Sequence, residues 1–163
     1  MTLIDPSPRT IGEFEVGPIG FGCWRFTNDK LDQAEAVLET ALDVGMNLVD
    51  TADVYGFDWG GGGFGENEAL LGKLIAANPS LRGRMVLATK GGITPPVPYN
   101  SSRDYLTGAV HASLERLAVE FVDIYMIHRP DMYTHPEEVA ATLTALREAG
   151  KVREFGVSNF TPA

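Results

Sequence analysis

Two kinds of apolar spacing alternate along this chain. The stretch "TIGEFEV" (10–16) reads as a hairpin with its turn near Gly12. From there short apolar runs take turns with stripes whose apolar residues recur three and four positions apart. "PIGFG" (18–22) precedes a predicted helix, capped at Asn28 or Asp29, with Leu31, Ala34, Leu38, Ala41 and Leu42 on one face and a stop at Gly45. "NLVD" (47–50) precedes the stripe Leu70, Leu71, Leu74 and Ile75, ended by Asn78-Pro79. "MVLATK" (85–90) precedes Leu106, Val110, Leu114 and Leu117. "FVDIYMIH" (121–128) precedes a helix carrying Val139, Leu143 and Leu146. That helix opens at Thr134-His135-Pro136-Glu137, a capping-box spacing with Pro in the first turn, and closes at Gly150. "VREFGVSNF" (152–160) is the fifth run, and Thr161-Pro162 has the form of one more helix start just before Ala163. Five strands alternating with four helices predict right-handed crossovers and a parallel sheet with covered faces. No shift in composition divides residues 1–163, so a single domain is expected.

Composition narrows the partners rather than the fold. The net charge of −9 argues against a nucleic-acid or anionic-membrane surface, both of which need clustered Lys and Arg. It also fits poorly with an anionic cofactor unless local basic groups outweigh it. Cys23 is the single cysteine, so no internal disulfide forms and a reducing compartment is expected. No apolar run approaches the roughly 20 residues of a membrane span, and "MTLIDPSPRT" lacks a signal-peptide pattern. A cytoplasmic setting follows as the expectation.

The stretch "VDTADVYGFDWGGGGFGENE" (49–68) holds two competing chemical readings. Gly60, Gly62 and Gly65 satisfy G-x-G-x-x-G ahead of a helical pattern. A dinucleotide fingerprint, however, places its glycines directly after the strand and an acidic residue about 20 positions on. Here the strand ends near Asp50, and no Asp or Glu occurs between Glu68 and Asp104. The run therefore reads as a loop, in which Phe57 and Trp59 could cover a pocket or be merely structural.

The second reading is the set of residues at the strand ends. The second run closes on Asp50, with Tyr55 one short loop later, the third on Lys90, the fourth on His128 and the fifth on Ser158-Asn159. Parallel α/β folds gather these ends on one side, where ligands sit. Singly, each has a bland role open to it: a loop cap, a solvated strand end, a core imidazole, a packing phenol. Together on one rim they point to proton transfer to a carbonyl oxygen. Tyrosine is a poor acid near neutrality, a neighbouring Lys⁺ favours its phenolate, and an Asp⁻ keeps that lysine charged. One His, no nearby Cys and one carboxylate fall short of a metal site, and a nucleophilic triad lacks its motif. His111 and His135 read as surface positions.

"DTADVYG", "ATKGG", "VDIYMIHRPD" and "GKVREFGVSNF" together resemble the aldo-keto reductase superfamily, particularly its bacterial oxidoreductase branch. The resemblance implies a (β/α)8 barrel and NADPH-dependent reduction of an aldehyde or ketone, reversible with the alcohol. By it, Tyr55 matches the general acid/base, Lys90 and Asp50 the pair that tunes it, and His128 the residue orienting the carbonyl. Ser158 and Asn159 match positions that hold the nicotinamide carboxamide, and Gly22, Trp24 and Asp50 border the nicotinamide. The partners implied are that cofactor and a small carbonyl compound. Two other readings remain open at this point: a nicotinamide-binding redox sensor, and a half-barrel acting only through self-association.

Five strands are fewer than the eight of such a barrel, which typically needs about 250 residues. The expectation is an N-terminal barrel portion that ends after the fifth strand, with parallel edges at the first and fifth runs exposed to association. Without the later loops, this chain by itself is expected to bind NADPH weakly. A fluorescence titration of the 163-residue polypeptide checks this, and tight binding overturns it.

Overall fold

The computed structural model describes residue 5 and residues 7–26, 30–57 and 62–161. Two short strands, β1 (Arg9–Ile11) and β2 (Phe14–Val16), pair antiparallel around Gly12. There follow β3 (Phe21–Gly22), α1 (Leu31–Asp43), β4 (Leu48–Asp50) and α2 (Glu66–Ala77), then a 3-10 segment (Pro79–Arg84). The chain continues through β5 (Val86–Gly91), β6 (Ile93–Thr94), β7 (Val97–Tyr99), α3 (Arg103–Leu117), β8 (Val122–Ile127), α4 (Pro136–Glu148) and β9 (Val152–Val157).

The main sheet runs β3-β4-β5-β8-β9 with every neighbouring pair parallel. Order in space follows order in sequence, with no reversal point. A doubly wound nucleotide-binding sheet reverses its order at the ligand crevice, whereas a barrel winds one way. The five strands therefore form the arc of a (β/α)8-type barrel.

Alternation along the strands divides the apolar residues between two layers. Val49, Leu87, Tyr125 and Ile127 face outward and meet Leu38, Leu71, Leu74, Leu106, Leu117, Leu143 and Leu146 of the helices in one buried cluster. Burying a side chain of this size contributes about 1.5–3 kcal/mol. On the inner face Val86, Ala88 and Ile124 close on Val16, with Ile11, Phe14, Leu48 and Met126 packed against them. The β1–β2 hairpin thus plugs the inner floor. Lys90 stands two residues beyond Ala88, Asp50 two beyond Leu48 and His128 two beyond Met126, so all three take the inner face at the open rim.

Several sequence expectations shift. The first strand covers only Phe21–Gly22 rather than 18–22. Leu31 is exposed, while Ala34, Leu38, Ala41 and Leu42 are buried as the stripe predicts. The cap proposed at Asn28 or Asp29 lies outside the described residues, as do Trp59, Gly60 and Pro162; α1 has Lys30 at its described N-cap position. For α4 the cap is His135 rather than Thr134: the His135 Nδ1 accepts from the Glu137 N–H at 3.3 Å. The Thr134 hydroxyl is engaged elsewhere, donating to Asp131 Oδ2 at 2.6 Å. The proline-rich stretch "GGITPPVPYNSS" is not an open loop but contains the β6–β7 hairpin. The edges of the sheet are β3 and β9, as expected. Among the described residues no helix is long and apolar enough to cross a membrane.

Helices α2 and α3 touch through Gly72, where a Cβ would stand 2.0 Å from the Arg116 carbonyl oxygen. Gly72→Ala is therefore expected to cost about 1–3 kcal/mol in urea unfolding, since backbone must move to admit the methyl group. Lys73→Ala, at the neighbouring exposed position, serves as the neutral control.

Candidate active site

Five strand ends supply the rim. Gly22 pairs with Asp50, Lys90 with Met126, and Met126 with Gly156, so the inward positions of adjacent strands climb in step. Backbone bonds extend the ladder into the loops: the Thr51 N–H donates to Ala88 O, the His128 N–H to Gly91 O and the Ser158 N–H to Ile127 O, each at 2.9 Å.

Lys90 is the buried centre of the site, 4% exposed. Its ammonium donates to both oxygens of Asp50 and to the Thr51 carbonyl, all at 2.7 Å. A buried ammonium of this kind stays charged only with such partners, because burial disfavours the charged form. The same Nζ lies 4.9 Å from the centre of the Tyr55 ring, a cation–π distance. The Tyr55 ring in turn meets His128 edge-on at 5.7 Å between centroids and Trp24 at 6.5 Å. Tyr55 belongs to a turn closed by its own N–H donating to Ala52 O at 3.1 Å.

His128 is held neutral. Burial, followed by the positive charges of Lys90 and Arg129, lowers its imidazole from the usual value to about 4. Its Nδ1 is buried without a hydrogen-bond partner. Beyond it, the Asn159 amide donates to His128 O at 3.0 Å and to Ser158 Oγ at 2.9 Å, which fixes the end of β9. Asn159 itself has φ +62, a backbone that asparagine tolerates better than most residues. These side chains line a cleft of about 560 Å³ whose walls include Trp24, Tyr55, His128 and Asn159. Gly22 sits beside it with open space where a Cβ would project. Trp24, Asp50, Tyr55, Lys90, His128, Ser158 and Asn159 thus line one cleft, and Gly22 pairs with Asp50 next to it.

The Gly62 N–H donates to the Glu66 carboxylate, so the start of α2 already carries its own anion. Gly65, with φ +82, leaves room for the side chain of Arg116, whose Cδ would lie 2.5 Å from a Cβ there.

The family model for the aldo/keto reductase family matches residues 18–163. The chain belongs to the aldo/keto reductase family. Among relatives of this aldo/keto reductase, a 6-dehydroglucose reductase of Novosphingobium aromaticivorans is 51% identical over 162 residues, covering 97% of this chain and 53% of the relative. The "Aldo-keto reductase yakc [NADP(+)]" of Schizosaccharomyces pombe is 33% identical, over 92% of this chain and 44% of that protein. The solved structure of a glycerol dehydrogenase from Gluconobacter oxydans superposes with TM-score 0.80 at 32% identity, covering 96% of this chain and 49% of its own. The chain thus spans about half the length of the relatives it matches, and its five strands correspond to part of their barrels.

Sequence reasoning missed the residues that brace the rim from behind. Asn67, fully buried, donates through its side chain to the carbonyls of Cys23 and Trp24, while its N–H reaches Tyr55 O at 3.4 Å. One side chain thereby ties the Trp24 segment to the Tyr55 turn. The signal was present: Asn67 shares the spacing of Leu70, Leu71 and Leu74, a polar residue on an apolar face. Cys23 is buried beside the site, and burial, then the charge of Asp50, raises its thiol well above the usual value, so it is not a nucleophile.

The lowered imidazole gives a directional pH test. A histidine kept neutral in the fold contributes stability that is present above its unfolded value of 6.5 and is lost as pH falls through about 4. An NMR titration of the His128 ring should show its protonation step near pH 4 rather than between pH 7 and 5.

Proposed function

We propose that this chain carries the proton-transfer centre of an NADPH-dependent carbonyl reductase acting on an aldehyde or ketone, reversible with the alcohol. The observation that carries it is the buried Lys90 ammonium, held by Asp50 at 2.7 Å and poised over the ring of Tyr55 at 4.9 Å. Tyr55 gives its proton to the carbonyl oxygen as negative charge builds there. Lys90 favours the phenolate that remains, and Asp50 keeps Lys90 charged and aimed. His128, neutral and with Nδ1 buried, keeps its proton on Nε2 and offers that N–H to the carbonyl oxygen, fixing its orientation.

A bound nicotinamide supplies the hydride that the side chains cannot. The residues present fit its nicotinamide end. Gly22 leaves space at the end of β3, Trp24 offers a half-exposed ring, and Ser158 and Asn159 place polar groups at the end of β9 for the carboxamide, with Asp50 between. The preference for NADPH is supported by the resemblance and by the printed name of the S. pombe relative. The relative from N. aromaticivorans, named a 6-dehydroglucose reductase, supports a polyhydroxylated carbonyl compound as one candidate substrate.

Tyr55→Phe is expected to lower the rate of NADPH oxidation with a panel of simple aldehydes by about 10²–10⁴-fold, the range for loss of a general acid. Cofactor binding, followed by fluorescence, is expected to persist, since the ring remains. An active Tyr55→Phe protein would remove the phenol from the mechanism.

A further inference from the structure

Behind the cleft, on the outer side of the sheet, lies a second polar cluster centred on Asp53. Asp53 is 1% exposed, and both oxygens of its carboxyl group are buried without a hydrogen-bond partner. Its backbone N–H donates to Lys90 O at 3.0 Å, and it stands two residues before Tyr55. Gly91, next after Lys90, makes the space for it. A Cβ there would lie 3.1 Å from Asp53 Oδ2 and 2.1 Å from the Tyr125 hydroxyl oxygen, which is likewise buried and unpartnered.

The groups facing Asp53 come from every element packed around it. Glu68 faces it from α2, Tyr105 and Arg116 from α3, and Tyr125 from β8, while Lys90 of β5 reaches to the opposite side of the sheet. Arg116 is already committed: its Nε donates to Glu68 Oε2 at 2.7 Å and its Nη2 to Ser113 Oγ at 3.3 Å. Glu68 Oε1 accepts from the Thr89 hydroxyl at 2.5 Å. One guanidinium thus faces two carboxyl groups. A second buried anion, approached only by the Tyr105 hydroxyl and the Val54 N–H as donors, is costly, and retaining a proton is the cheaper state. A groove of about 600 Å³, bordered by Asp53, Phe57, Tyr105 and Arg116, gives that proton a route to solvent.

We propose that Asp53 is a positioning residue for Tyr55: as an uncharged acid it seats the Ala52–Tyr55 turn against Gly91 and Tyr125, and a charge on it pushes the turn, and the phenol, out of place. The proposal rests on the reading of Tyr55 as proton donor. Burial first, then the charge of Glu68, raises the Asp53 carboxyl to about 8. A raised carboxyl holds its proton in the fold but not in the unfolded chain, so its contribution is fully present below pH 3.8 and is lost as pH rises through about 8. The His128 shift acts below pH 6.5 and that of Cys23 above 9.0, which leaves pH 6.5–9.0 for Asp53 among the groups with shifted values.

Urea unfolding of the wild type and of Asp53→Asn, measured across that window, tests the uncharged state without any cofactor. The wild-type midpoint should fall as pH rises to about 8 and then level, while Asp53→Asn, which has the shape but no titration, should stay flat. Infrared spectra of the wild type alone should show a protonated-carboxyl band at pH 6.5 that disappears through about 8. For positioning, the wild-type kcat for carbonyl reduction should fall through the same pH with KM for the cofactor unchanged, and the fall should be missing in Asp53→Asn. Equal pH slopes in the two proteins, or no infrared band, overturn the proposal. An active Tyr55→Phe protein instead overturns the reading of Tyr55, and with it the positioning role, while leaving the stability slopes and the infrared band intact.

Discussion

A buried ammonium must be answered, and much of the rim is arranged around that requirement. Lys90 is held by three oxygens at 2.7 Å, two from Asp50 and one from the backbone at Thr51. Those oxygens come from β4 and the residue just after it, the lysine from the adjacent β5, and the two strands are locked in parallel register with Asp50 opposite Ala88. The ion pair therefore demands the register, and the register in turn sets where the Tyr55 turn leaves the sheet. Removing Asp50 would leave the buried Lys90 ammonium with only the Thr51 carbonyl, which is why such pairs are sensitive to loss of one member even when the pair itself adds little net stability.

Much of this was legible from the order of residues because the strands are short and strictly alternating. An apolar run that ends on an ionisable residue tells, to within one residue, where the strand stops and which face that side chain takes, and Asp50, Lys90 and His128 all follow that rule. The helical stripes were equally plain, since Leu106, Val110, Leu114 and Leu117 are all buried on α3. What escaped was polar and buried. Asn67 and Glu68 read as ordinary residues at a helix start, where acidic and amide side chains are common caps. Only the fold shows that Asn67 holds two carbonyls across the rim and that Glu68 closes on Arg116 from α3. The β6–β7 hairpin escaped for another reason: its strands are two and three residues long, too brief for any alternation to declare itself. At α4 the cap moved by one residue because Asp131 captured the Thr134 hydroxyl, a contact made by the loop and not by the helix.

The rim thus has two shells, one on each side of the sheet. The inner shell presents Lys90, Asp50, Tyr55 and His128 to the cleft; the outer one, through Asn67, Glu68, Arg116 and Asp53, sets the loops from which the inner shell hangs. The two meet at the turn between Ala52 and Tyr55, where alternate residues face opposite sides. Family membership follows from the sequence match over residues 18–163.

The hairpin under the sheet carries a last implication. With Val16 wedged among Val86, Ala88 and Ile124, the lower half of the inner face is sealed by hydrocarbon. Glu154, opposite Ile124 on β9 and against Gly12, is the polar exception on that side, and the cleft is where Asp50, Lys90 and Tyr55 meet solvent.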